Sequence, residues 1–435
     1  MSFNYKKKKL NTLKRLLFLL EIPVVLIALP IILMFCLLVR VDTLKRQQKK
    51  KKPRLIYGPV PIISIKYISQ AMEQAGYTAK TFVYSIYRIN TPKDYDYYLP
   101  NFSFFKWIPS EMLQLAFIRI FGPYYIFFWL LPRFDIFHFY FNGGFLAWTP
   151  LRFLEVQLLH LAGKKVIVMP YGSDVSELIY IHSLTFRHNI LSQYPELAHS
   201  QHEISKQIRY FSKYADFIIG AGCFIDCMPR WDLLTTHYYP IDTDAWVPTD
   251  YRSDANGKNG NVTIFHSPNH RWLKGTDFFI KACQELEQEG YKIRLIIMEG
   301  SPNTEVHQVL AESDILAEQF GMPWYGLNAM EGMSLGKPVL SDLSDKHYTE
   351  PFIRYAGLDE CPIVNTPVDK IKENLRLLIK NPKLRRELGE AGRRYVLKFH
   401  SYQAMGKMWD AIYQKVWFGK ELQFNAWHPE RSSIY

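Results

Sequence analysis

Cysteine is scarce: Cys36, Cys223, Cys227, Cys283 and Cys361 are the only five in 435 residues. The count is odd, no CxxC spacing occurs, and no histidine stands at metal-ligand spacing. That argues against a secreted disulfide scaffold and fits a reducing compartment. No short-period internal repeat is present, which sets repeat folds aside. Acidic residues are scarce in one place only. Residues 1–54 hold fourteen Lys and Arg against Glu21 and Asp42, whereas the remaining chain holds 39 basic and 39 acidic residues. The net charge of +12 therefore sits at the N-terminus, around an apolar run. A nucleic-acid reader spreads its basic patch over a folded face. This distribution argues against nucleic acid as a partner and points to an anionic lipid surface.

The run Leu16–Val39 is apolar apart from Glu21, Pro23 and Pro30, and its length suits a span of about 20 residues. A basic tract follows it in place of a small-residue cleavage site, so it does not read as a cleaved signal peptide. Residues 1–53 are expected to form a membrane anchor, a single span in preference to a re-entrant hairpin. The slight excess of positive charge after the run puts the following domains on the cytoplasmic side. From Arg54 to about residue 245, apolar runs (RLIY, AKTFVYSI, FDIFHFYF, KKVIVM, ADFIIGAG) alternate with helical patterns. Residues 92–133 read as irregular and aromatic-rich. Phe121–Trp148 carries thirteen aromatic residues, taken as core packing, and Pro132, Arg133 and Asp135 argue against a second span there. Thr249–Gly260 is a polar linker. A second domain covers 246–400, and a terminal helix and tail, 401–435, follow. Strands alternating with helices imply α/β domains with parallel sheets.

Ligands of such sheets bind at the carboxyl ends of strands, where helix N-termini offer free N–H groups. The stretch Asn261–Leu340 supplies three loops of that kind. Arg271 and Lys274 follow a strand and precede a helix starting near Gly275, a placement suited to neutralising a diphosphate. Glu299-Gly300 ends the next strand, where a nucleobase can lie against backbone. Tyr325-Gly326-Leu327-Asn328 opens another helix, and Glu331 in its first turns has the paired oxygens to hold two ribose hydroxyls. Asp242-Thr243-Asp244 has a metal-binding DxD form, but it stands at an interdomain crossover, so no obligatory metal and no cofactor is expected.

Together these segments resemble GT-B glycosyltransferases, above all the retaining family four and its relatives. Lys274-Gly275 is similar to that family's phosphate-binding motif, MEGMSLGKPVL to its EAMAxGxPVV signature, and PIDTDAWVP to its NGVDxxxFxP crossover. FDIFHFYF and GKKVIVMPYGSD resemble its first-domain strands. The resemblance implies two Rossmann-like domains facing a cleft behind an N-terminal membrane helix, with the terminal helix packed back on the first domain. It also implies a nucleotide-sugar donor in the second domain and a lipid-linked or membrane-proximal glycan acceptor in the first, in surface or capsular polysaccharide assembly. Gly58, Asn142, Gly143 and Tyr171 fall on the acceptor side. His138 and Asp174 are, with Lys274, the candidates for catalysis. Two positions depart from the family: Tyr171-Gly172 stands where a strand-end His-Gly is usual, and Pro323 where a sugar-contacting Glu is usual. Glu318, at the end of the preceding strand, is the nearby carboxylate that would substitute from a different angle. A GT-B nucleotide-sugar epimerase and a non-catalytic partner of an assembly complex are the alternatives; an epimerase has no need of the anchor.

Overall fold

The computed structural model describes residues 2–102, 110–249 and 253–421. Helix α1 (Ser2–Gln48) leads into strand β1 (Arg54–Tyr57). There follow α2 (Ser64–Gln74), β2 (Thr78–Val83), β3 (Tyr97–Tyr98), α3 (Glu111–Leu130), β4 (Ile136–Tyr140), α4 (Glu155–Leu161), β5 (Lys165–Met169), α5 (Leu184–Gln193), α6 (Leu197–Tyr214), β6 (Phe217–Ala221) and β7 (Leu233–Thr235). These seven strands make one sheet in the order β3-β2-β1-β4-β5-β6-β7. The second sheet takes β8 (Val262–His266), then α7 (Arg271–Lys274), α8 (Thr276–Gln288), β9 (Ile293–Ile297), α9 (Asn303–Ala311), β10 (Ile315–Gln319), α10 (Leu327–Ser334), β11 (Val339–Ser341), α11 (Lys346–Tyr355) and β12 (Val364–Asn365). Its order is β12-β11-β10-β8-β9. Helices α12 (Ile371–Lys380), α13 (Pro382–Phe399) and α14 (Tyr402–Val416) complete the described chain.

All the strand pairs are parallel. Strands β4, β6, β8 and β10 are buried at every residue, which is why they read as largely apolar runs: both faces are covered. Helix α14 crosses to the first domain. It lies on α2, and its Trp409 and Tyr413 join the core beneath β1 and β4. The tail beyond residue 421 lies outside the described residues.

Two segments differ from expectation. The aromatic stretch expected to be irregular contains α3, a 20-residue helix with Pro123 inside it. Proline and dense aromatics obscure its helical period, and packing supplies what propensity lacks. The Phe128 ring meets Phe35 of α1 edge-on at 5.2 Å, and Tyr124 Oη donates to Glu21 at 3.1 Å. Helix α5 was also unexpected. Its start is marked by Ser183, whose hydroxyl accepts from the Phe186 N–H at 3.3 Å.

Helix α1 runs unbroken through Pro23 and Pro30, and from Glu21 onward it is long and apolar enough to cross a bilayer. It is also docked. Val25, Ile32, Cys36 and Val39 are buried in the core of the first domain, while Leu26 (64% exposed), Ile27 (80%), Ile31 and Leu38 face outward. Asp135 pins the end of the helix. Its buried carboxylate accepts from Arg54 Nε and Nη2, both at 2.9 Å, from Arg46 Nε at 3.2 Å and from Lys164 Nζ at 3.3 Å. Burial alone pushes this carboxyl up, but the Arg54 hydrogen bonds and the Lys164 charge outweigh burial and leave it below the usual range. Removing one partner of a buried ion cluster costs about 3–5 kcal/mol. Asp135→Ala is therefore expected to lower the melting temperature by several degrees and to speed tryptic cleavage at the already exposed Lys49–Lys52 segment, read by differential scanning fluorimetry and limited proteolysis in detergent.

Candidate functional site

The site grows from the carboxyl ends of β8, β9 and β10. His266, the last residue of β8, is buried; its Nδ1–H donates to the Ala317 carbonyl at 2.7 Å and its Nε2 accepts from Thr276 Oγ1 at 2.9 Å. Burial pushes its pKa down to about 4, so it is a neutral brace between β8, β10 and the start of α8. The brace fixes the one-turn helix α7. Gly275 ends that turn at φ 64°, where a side chain is strained, and a Cβ there would lie 3.0 Å from Phe320 Cβ.

The two cations of this loop differ in setting. Arg271 is 43% exposed and forms ion pairs with Glu299 and Asp277, tying the β8 loop to the β9 loop. Lys274 is 14% exposed; its ammonium donates to the fully buried Glu318 and, at 2.9 Å, to Gln319 Oε1. Gly326 caps α10 in an extended conformation, and a Cβ there would come within 3.3 Å of Glu318 Oε1. Glycine at 326 thus lets the helix N-terminus sit directly over the Lys274–Glu318 pair. Asn328, two residues on, buries both amide atoms without a partner among the described residues.

Glu331 is buried in α10 and accepts from Asn303 Nδ2 at 3.5 Å. Burial pushes its carboxyl up to about 8, against smaller opposing effects of Asn303 and Lys274. Asn303 also donates to Tyr67 Oη at 3.1 Å, so α9 meets α2 of the first domain beside Glu331. The structure therefore gathers Arg271, Lys274, Gly275, Glu299, Gly300, Gly326, Leu327, Asn328 and Glu331 around one set of strand ends. Tyr325 is a partial exception. Its ring points into the interior, with Oη 3.1 Å from Tyr395 Oη and 3.2 Å from His400 Nε2, and its carbonyl accepts from His237 Nε2 at 2.9 Å.

Across the cleft, Gly58, Asn142, Gly143 and Tyr171 follow β1, β4 and β5, and Asn142 Nδ2 donates to Tyr171 Oη at 3.3 Å. The two first-domain candidates for catalysis are held differently. His138 lies buried beneath α14, with Nδ1–H donating to the Ile56 carbonyl at 3.1 Å, Nε2 3.0 Å from Tyr413 Oη, and Tyr57 stacked on its ring at 4.1 Å. Burial pushes its pKa down to about 3. Both nitrogens are engaged, and its place in this fold is to pin the returning helix. Asp174 is buried and accepts three backbone N–H groups, from Phe141 (3.0 Å), Tyr171 (3.0 Å) and Gly172 (2.9 Å). Burial pushes its carboxyl up to about 7, and its geometry is that of a clamp joining the β4 and β5 loops. Asp242, of the DxD, accepts from the Asp244 and Ala245 N–H groups at 3.1 and 3.0 Å and so closes a turn. Asn303, Tyr67 and the buttress His266 were not singled out from the sequence. Only His266 had a local signal, as the polar last residue of an apolar strand.

No family model matches the chain, and no curated protein matches it. Solved structures do. Sucrose-phosphate synthase from Thermosynechococcus elongatus superposes with a TM-score of 0.52 at 13% identity, over 85% of this chain and 100% of that one. The catalytic domain of Arabidopsis thaliana starch synthase IV, bound to ADP and acarbose, gives 0.52 at 11%, over 84% and 100%. Anabaena HepE in complex with UDP-glucose gives 0.51 at 12%, over 83% and 100%. At such identity the likeness is one of fold. Two parallel-sheet α/β domains meeting at their strand ends, with α14 returned to the first, give this chain the two-domain GT-B fold of these structures.

Proposed function

We propose that the protein is a glycosyltransferase that moves a sugar from a nucleotide-sugar donor to a lipid-linked or membrane-proximal glycan. One observation carries the reading: two cations, the N-terminus of α10 and a buried carboxylate converge on the strand ends of the second domain. As the sugar departs, the nucleoside diphosphate gains negative charge. Arg271, Lys274 and the free N–H groups after Gly326 stabilise that charge more in the transition state than in the bound donor. Glu331 receives the ribose hydroxyls. Nucleotide complexes among proteins of the same fold, with UDP-glucose and with ADP, agree with such a donor.

The membrane half of the proposal rests on α1. Its outward apolar strip, together with the exposed lysines 49–52, matches an apolar bilayer interior with an anionic surface. The acceptor domain, on which α1 is docked, is then the half held at the lipid. Surface polysaccharide assembly is the setting in which a lipid-linked acceptor and a cytoplasmic donor meet. The direct test supplies UDP-, GDP- and ADP-sugars with membrane lipid extract. Nucleoside diphosphate released only when both are present is the expected result; donor binding without release under any pairing overturns the transferase reading.

Arg271→Ala breaks only exposed ion pairs, worth about 0–1 kcal/mol. It is expected to leave the melting temperature in place and to weaken nucleoside diphosphate binding roughly tenfold, measured by isothermal calorimetry. Lys274→Ala is expected to lower turnover on the order of a hundredfold.

Glu331 links the site to pH. Its folded value, about 8, lies above the unfolded one, so the folded state holds the proton more tightly. Its contribution to stability is complete below the unfolded carboxylate range and is lost as pH rises toward 8, by up to roughly 1.4 kcal/mol per unit. Ribose hydroxyls donate to the ionised form, so nucleotide affinity is expected to climb from pH 6 to 8. Glu331→Gln is expected to flatten that climb and to raise the melting temperature more at pH 8.5 than at pH 5.

Replacing Leu26, Ile27, Ile31 and Leu38 together by Ser touches only exposed side chains. Flotation with phosphatidylglycerol vesicles is expected to lose the protein, with its melting temperature unchanged.

A further inference from the structure

The carboxylate of Glu318 has no exposed surface, and both oxygens are engaged. Oε1 receives the Lys274 ammonium, and Oε2 lies 3.0 Å from Ser341 Oγ, whose single proton it shares with the Trp324 and Gln319 carbonyls at 2.9 and 3.2 Å. Ser341 ends β11, the strand beside β10, so the carboxylate is fixed from two directions. It is therefore not free to grasp a donor sugar in place of the glutamate that Pro323 displaces. Its position over the site is close all the same. A Cβ on Gly326 would lie 3.3 Å from Oε1, and the negative charge of Glu318 helps to raise the Glu331 carboxyl and the Tyr239 hydroxyl of the first domain.

Both cations of the loop are already neutralised, but unequally. The partners of Arg271 are exposed and yield easily to an incoming phosphate. The partner of Lys274 is buried and stays, because leaving a carboxylate alone in the interior costs far more than a surface pair returns. A diphosphate thus meets one cation that is released to it and one that it must share.

We propose that Glu318 is a positioning residue that fixes the Lys274 ammonium beneath the N-terminus of α10 and, by sharing its charge, limits how tightly the site holds a nucleoside diphosphate. This rests on the donor site proposed above. A shared cation helps the leaving group form and still lets it go, so release of the spent nucleotide stays fast.

Two variants move in opposite directions. Glu318→Gln keeps the shape and an acceptor oxygen for Lys274, with its amide N–H donating to Ser341 Oγ while that hydroxyl donates to the Trp324 carbonyl, but it frees the Lys274 charge. The dissociation constant for the nucleoside diphosphate should fall roughly threefold to tenfold, and kcat should fall with it as release slows. Glu318→Ala removes the support, and the dissociation constant should rise by about tenfold. The probes are UDP, GDP and ADP by calorimetry on the full chain in detergent, with melting temperatures to confirm folding. Folded variants that shift affinity in the same direction, or not at all, overturn the role of Glu318 while leaving the donor site in place. Wild-type protein that binds none of the three nucleotides overturns the donor site itself, and this role with it.

Discussion

The cleft exists because the chain crosses between its two domains twice, side by side, and the crossings are bonded to each other. Ile241 on the outward crossing takes a backbone hydrogen bond from its N–H to the His400 carbonyl at 2.8 Å, and it pairs with Ser401 as a one-residue parallel bridge. Arg393 of α13 donates to the Thr243 and Trp246 carbonyls at 3.0 and 2.8 Å, and the indole N–H of Trp409 donates to the Tyr238 carbonyl at 2.9 Å. Backbone groups on both crossings are satisfied by the other crossing, so neither moves alone. The double strap acts together with direct contacts between the domains, Tyr67 to Asn303 and Asn189 to Gly321 among them.

Around that strap several buried ionisable groups serve as braces of two kinds. His138, His237 and His266 are neutral braces: burial lowers each pKa, and each donates to a backbone carbonyl of another segment. Asp135 is a charged brace paid in kind by three cations. Glu331 is neither, since its one weak partner leaves most of its hydrogen-bonding capacity unused. Beside it, the Asn328 amide has no partner among the described residues, so polar capacity is left unused at the strand ends of the second domain.

How much of this was legible in the sequence depended on how local each feature is. The central strands were readable because burial on both faces makes them largely apolar, with His138, His266, Glu318 and Gln319 as polar exceptions at or near their carboxyl ends. The Arg271–Lys274 loop, the Gly326 turn and Glu331 were readable because each is defined by residues adjacent to a strand end or a helix start. Helix α3 was hidden by Pro123 and its aromatics. Helix α5 was hidden because LTFRHNILSQ has little amphipathic contrast; it is held by contacts with the other domain, Asn189 Nδ2 to the Gly321 carbonyl at 2.7 Å among them. His138 and Asp174 show the converse. Polar residues at strand ends looked like chemistry, but which way such a residue points is decided by α14 and by the β4–β5 turns, and neither is local to it. The Tyr67–Asn303 contact spans 236 positions and had no sequence signal at all.

The docking of α1 carries a mechanical meaning. A helix joined to its domain by a flexible linker acts as a leash, and the enzyme tumbles at its end. Here the helix is bolted along the flank of the first domain from Val25 to Arg46. On the proposed reading, the bilayer then fixes the attitude of the whole molecule as well as its location. The cleft would then open at one height and one inclination above the lipid for every copy. On that same reading a lipid-borne acceptor would find it by sliding in two dimensions, already oriented, and the sugar it presents would have to stand at that height to be reached.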